Sequence, residues 1–103
     1  MSRWYGASIT FRRTWEQGGE GFEDMINAEI DRRNQMAEYI STMWGCRVGV
    51  NSDSLKYDLL TDPQITLQIY FEPDIMHLRK IRAYLREEGY TRAKKVSQSK
   101  IQR

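Results

Sequence analysis

Few residues in this chain are of types that do chemistry. There is one histidine, His77, one cysteine, Cys46, and a concentration of arginine and lysine toward the carboxy terminus. A lone imidazole acts as a general base only when a partner within hydrogen-bond reach orients it, and no residue at a fixed spacing from His77 provides one. Its position beside the apolar stripe of a helix predicts a packing role. Cys46 opens a short alternating segment on the apolar side and is expected to be a buried, inert thiol, because a reactive thiolate needs cationic, exposed surroundings. One His and one Cys do not furnish a zinc site. Five acids (Asp53, Asp58, Asp62, Glu72 and Asp74) miss the alternating oxygen-ligand spacing of a calcium loop. Gly18, Gly19 and Gly21 precede a helix, where backbone N–H groups can cradle phosphate. No Gly-x-x-x-x-Gly-Lys pattern follows, however, and Glu16, Glu20, Glu23 and Asp24 would repel an anion there. The expectation is no catalytic residue, no metal and no cofactor.

The basic residues are the stronger signal. The formal net charge is only +2, but it is unevenly spread. Residues 1–76 hold 7 Lys/Arg against 12 Asp/Glu, and residues 77–103 hold 9 against 2. Arg79, Arg82 and Arg86 fall within about 60° of one another on a helix of 100° per residue, and Arg92, Lys94, Lys95, Lys100 and Arg103 continue the charge. Such a stripe can follow phosphates or meet carboxylates. Aromatic platforms for unpaired bases are nearly missing, with Tyr84 and Tyr90 the only candidates. The acidic first 76 residues would also repel a polyanion. An acidic protein partner is therefore favoured, with nucleic acid as the alternative.

The elements that position these residues follow from hydrophobic periodicity. Ala7 to Trp15 alternates with Ile9, Phe11 and Trp15 on one face, which predicts a strand, with an early end at Arg13 as the alternative. Phe22 to Trp44 carries Phe22, Met25, Ile26, Met36, Ala37, Ile40, Met43 and Trp44 on one face, predicting an amphipathic helix of about 35 Å. Gly45 supplies its left-handed stop. Cys46 to Val50 predicts a short strand, Asn51 to Ser54 a turn, and Leu55 to Leu60 a strand or packed loop. Gln64 to Phe71 gives the clearest strand pattern. Pro73 is expected at the first position of a second helix with Leu78, Ile81 and Leu85 as its stripe and Gly89 as its stop. Residues 1–90 then make a single α/β domain, and 91–103 a basic tail or weak edge strand. The order β-α-β-β-α(-β) predicts an α+β two-layer sandwich of the ferredoxin-like split β-α-β kind.

Glu29 and Arg33 interrupt the stripe of the first helix near its centre, where charge is costly unless paired. Three arrangements satisfy them: a buried pair within the chain, a helix that overhangs short strands, or a contact with a second subunit. In the last two, Met36, Ile40, Met43 and Trp44 form an apolar patch, and a two-fold dimer joins Glu29 of one chain to Arg33 of the other. The single cysteine precludes an intramolecular disulfide, and residues 1–6 lack the apolar run of a leader. No stretch approaches the roughly 18 apolar residues of a membrane span. A cytoplasmic, non-enzymatic binding or regulatory protein is expected, dimeric and acting by occlusion or bridging. Small inhibitors of viral or mobile-element type are one class of such proteins.

Overall fold

Two nine-residue segments of alternating apolar side chains form the centre of the sheet. The computed structural model describes residues 3–16, 18–50 and 63–97. Strand β1 (Trp4–Arg12) lies antiparallel to β3 (Gln64–Glu72), pairing Tyr5 with Phe71, Ala7 with Ile69, Ile9 with Leu67 and Phe11 with Ile65. Because side chains alternate along a strand, these eight share one face. β2 (Arg47–Val50) borders β3, setting Val48 beside Phe71 and Val50 beside Ile69. β4 (Lys94–Val96) borders β1 on the opposite flank. The chain thus folds as β-α-β-β-α-β, with a four-stranded antiparallel sheet in the order β2-β3-β1-β4.

Helices α1 (Gly18–Trp44) and α2 (Ile75–Glu87) both pack on that apolar face. One core gathers Met36 and Ile40 of α1, Leu78, Ile81 and Leu85 of α2, and Tyr5, Ala7, Ile69 and Phe71 of the sheet. A second, smaller core joins Phe22 and Ile26 to Ile65 and Leu67. Glu29 and Arg33 stand between the two along α1. The polar break in the stripe thus marks the boundary between two apolar clusters.

Several expectations shift. β1 begins at Trp4 and ends at Arg12, so Trp15 lies outside it and is 90% exposed. Arg13, just past the strand, still donates its N–H to the Pro63 carbonyl (2.9 Å) and keeps to the helix-covered face, its guanidinium lying 4.8 Å from the Phe22 ring centre. α1 starts at Gly18, so the expected glycine connection becomes its first turn. Fully buried Phe22 and Ile26 anchor that end and outweigh the poor helix propensity of glycine. Pro73 lies ahead of α2, with Asp74 as N-cap. Lys94–Val96 is an edge strand. The turn at Asn51–Ser54, the segment Leu55–Leu60, the acids Asp53, Asp58 and Asp62, and the basic residues Lys100 and Arg103 lie outside the described residues.

The second face of the sheet carries Trp4, Gly6, Ser8 and Thr10. Trp4 is only 4% exposed and Tyr70 7%. A Cβ on Gly6 would come within 2.9 Å of the Tyr70 ring, so the absence of a side chain there lets the ring lie across the strand. No helix among the described residues is long and apolar enough to cross a membrane.

Candidate functional site

The arginines of α2 and of the turn after it converge on one groove. α2 buries Leu78, Ile81 and Leu85, and this three- and four-residue spacing turns Arg79, Arg82 and Arg86 to the flank of the helix. The helix then ends in a Schellman turn: the Gly89 N–H donates to the Arg86 carbonyl (3.1 Å) and the Tyr90 N–H to the Leu85 carbonyl (2.9 Å). Gly89 takes φ +90°, which a side chain would resist. Thr91 fastens the next stretch to β1. Its N–H donates to the Ser8 carbonyl (2.9 Å), and its hydroxyl accepts from the Ser8 N–H (3.0 Å). Arg92 is thereby held between anchored Thr91 and fully buried Ala93.

The result is a groove of about 550 Å³ lined by Arg79, Arg82, Ala83, Arg86 and Arg92. Ala83 leaves its floor open. Arg82 is the fixed member, with its Nε–H donating to the Ala93 carbonyl (2.9 Å) and its guanidinium 5.3 Å from the Tyr5 ring centre. Arg79, Arg86 and Arg92 are exposed and take part in no ion pair among the described residues. Glu87 lines a neighbouring hollow with Ala83 and Arg86 but forms no ion pair there. Lys95 stands opposite Tyr5 in the β1–β4 ladder and so shares the helix-covered side with the groove; Lys94 pairs with Gly6 and faces the other way.

The stripe-breaking charges are placed differently from the expected pair. Glu29 is 8% exposed and Arg33 2%. Glu29 is held not by Arg33 but by Arg32, whose fork spans both carboxylate oxygens at 2.9 and 2.7 Å. The Tyr90 hydroxyl donates to the same carboxylate at 2.9 Å. Arg32 also reaches the Glu88 carboxylate (2.6 Å) and carbonyl (2.9 Å), tying α1 to the end of α2. Arg33 faces the sheet and donates to the Gln68 carbonyl at 3.3 Å, and burial pulls its pKa down. Residue 32 lies toward α2, where a carboxylate and a phenol wait, whereas residue 33 meets the Gln68 backbone carbonyl.

These placements correct the expected apolar interface. Met36 (3% exposed) and Ile40 (0%) belong to the core, and buried Glu29 and Arg33 have no exposed groups to offer a second chain. β1 and β3 are each nine residues long, or about 30 Å, so the sheet reaches under α1 as far as Ile40. Only the end of the helix stays open. Met43 is 54% exposed, and Trp44 is half-buried in an aromatic group with Tyr39 (ring centres 5.9 Å) and Tyr84 (6.0 Å). Ile75 and Met76, at the start of α2, are 70% and 74% exposed. Those two were missed because residues ahead of a helical stripe carry no periodic signal.

Cys46 is buried, its thiol 3.9 Å from the Ile40 carbonyl and its pKa raised by burial. His77 is half-buried on α2. Glu72 lies 3.6 Å from Arg47 across β2 and β3, and Asp74 occupies the N-cap position of α2 without a side-chain cap bond. Among the described residues no three His, Cys, Asp or Glu side chains converge as metal ligands would. In comparisons with known proteins, no family model, no curated protein and no solved structure matches the chain.

Proposed function

We propose that this chain is a non-enzymatic binding protein that docks an acidic protein partner on the arginine groove beside α2 and acts by occluding or bridging that partner's surface. The supporting observation is that Arg79, Arg82, Arg86 and Arg92 line one groove while three of them lack ion pairs among the described residues. Like charges kept together cost stability, and the cost is recovered when anionic groups enter. Planar guanidinium groups suit bidentate contact with carboxylates. Nucleic acid fits less well: for a single strand neither nearby aromatic ring is open for stacking, and the acidic residues 1–76 would repel a duplex. Tyr90 is buried and bonded to Glu29, and Tyr84 packs against Tyr39 at 4.8 Å between ring centres. The element order and the strand order β2-β3-β1-β4 support a ferredoxin-like split β-α-β reading of the fold, which by itself implies no activity.

Self-association is a second reading, now confined to the end of α1. It rests on exposed Met43, beside Tyr39 at 44% exposure and half-buried Trp44. Light scattering at high protein concentration tests it: a dimer that Met43→Glu dissociates supports it, and a monomer removes it.

The acidic-partner reading is tested by fluorescence anisotropy, with a labelled Glu-rich peptide and a duplex DNA of equal charge. The expected result is peptide binding that weakens with salt and falls at least about tenfold in an Arg79→Gln, Arg86→Gln, Arg92→Gln triple variant. No peptide binding at low salt would sink the proposal. DNA binding tighter than peptide binding would transfer the groove to nucleic acid.

A further inference from the structure

We infer that the acidic partner segment binds in extended form, adding a strand to the outer edge of β4 with alternate carboxylates directed into the arginine groove. This inference rests on the acidic-partner reading and says how that partner is held. Among the described residues, β4 ends the sheet: it pairs with Trp4–Gly6 of β1 on one side, and no strand lies on the other. An edge strand presents unpaired N–H and C=O groups that an extended peptide can take up.

The groove runs beside this edge, not elsewhere on α2. The Arg82 side chain is bonded to the carbonyl of Ala93, the residue directly before β4, and Arg92 lies one position further back. Arg82 also covers the ring of Tyr5, whose ladder partner is Lys95. A strand laid outside β4 would turn every second side chain toward Lys95 and the groove arginines. The side chains between them would face the side of the sheet that carries Val96, Lys94 and Trp4. The partner fitting this geometry alternates Asp or Glu with neutral or apolar residues over about three to five positions, matching the three residues of β4.

Lysines on an edge strand usually deter unwanted pairing. Here both lysines repel basic strands, while only Lys95, on the groove side, meets the carboxylates of an acidic one. Lys94, on the other face, guards the edge, and Lys95 both guards it and selects.

The test uses the full chain and three probes: a short peptide alternating Glu with Thr, the same peptide N-methylated at alternate amides, and a helix-forming peptide of equal charge. N-methylation removes backbone donors without changing charge. Binding is read by anisotropy, and hydrogen exchange is followed at the Lys94–Val96 amides. The expected result is binding of the alternating peptide at least about tenfold tighter than either control, with slowed exchange at the β4 amides facing away from β1. Equal affinity for all three, or unchanged exchange in β4, overturns strand addition and leaves the groove reading standing. Failure of every acidic peptide to bind overturns both.

Discussion

Ala83 is the residue on which the groove most simply turns. It separates Arg79 from Arg86 along α2 and contributes almost no bulk. Ala83→Glu would put a carboxylate among the arginines, supply a competing internal partner and close the floor. Stability should change by no more than about 0.5 kcal/mol, because an exposed helix pair contributes little, while binding of an acidic peptide should be lost. A variant that binds like the wild type would show that the anion sits elsewhere. Tyr90 allows a separate check. Burial first, and then the bond to Glu29, raise its pKa well above the ordinary value of 10.0. The unfolded chain therefore sheds this proton at lower pH than the folded one. The stabilisation is intact below about pH 10 and is lost as pH rises beyond it. Urea midpoints measured from neutral to alkaline pH should fall above about pH 10, less steeply in Tyr90→Phe, which should itself cost about 1 kcal/mol at neutral pH. An equal alkaline decline in both proteins would contradict this. At residue scale the sequence showed that Glu29 interrupts an apolar stripe. Spacing alone did not separate Arg32, three residues on, from Arg33 as its partner, and it could not reveal Tyr90, 61 positions away.

Between α2 and β4 the chain depends on a glycine in a left-handed conformation. A Cβ on Gly89 would meet Ile9 Cδ1 at 3.6 Å, an ordinary contact, so Gly89→Ala would be opposed by its φ of +90° and not by a clash. The expected cost is about 1 kcal/mol or somewhat more. Because this turn aims Arg92, anion affinity should fall with it; unchanged stability and affinity would remove the turn from the account. Elements were legible where burial is one-sided. β3 follows the alternation of Ile65, Leu67, Ile69 and Phe71, and α2 ends at Glu87, with Gly89 as the left-handed stop just beyond it. β1 was placed too late because Gly6 reads as a break in an alternating run. In the fold it makes room for the Tyr70 ring, a contact from a strand some 60 residues on that sequence spacing does not reveal. The start of α1 was missed because helix propensity counted against three glycines, while burial of Phe22 decided the matter.

Across the whole molecule the division of charge is the feature that survives from sequence to structure. The basic carboxy-terminal part is not only a tail: Ala93 is buried and Lys94–Val96 completes one edge of the sheet. Helical spacing brought Arg79, Arg82 and Arg86 together on paper. Adding Arg92 needed the Schellman turn and the Thr91–Ser8 bonds, which no local pattern encodes. The apolar interface expected along α1 shrank to its end, because nine-residue strands support more of the helix than the assumed shorter ones would. The acidic-partner proposal for the α2 groove is tested by an NMR titration of the labelled protein with a Glu-rich peptide, following the arginine side-chain Nε–Hε signals and the backbone amides together. The expected result is saturable shifts at Arg79, Arg82, Arg86 and Arg92 that are suppressed by salt, with the amides around Tyr39 and Met43 unmoved. Shifts centred on Tyr39 and Met43, or none at the four arginines, would contradict it.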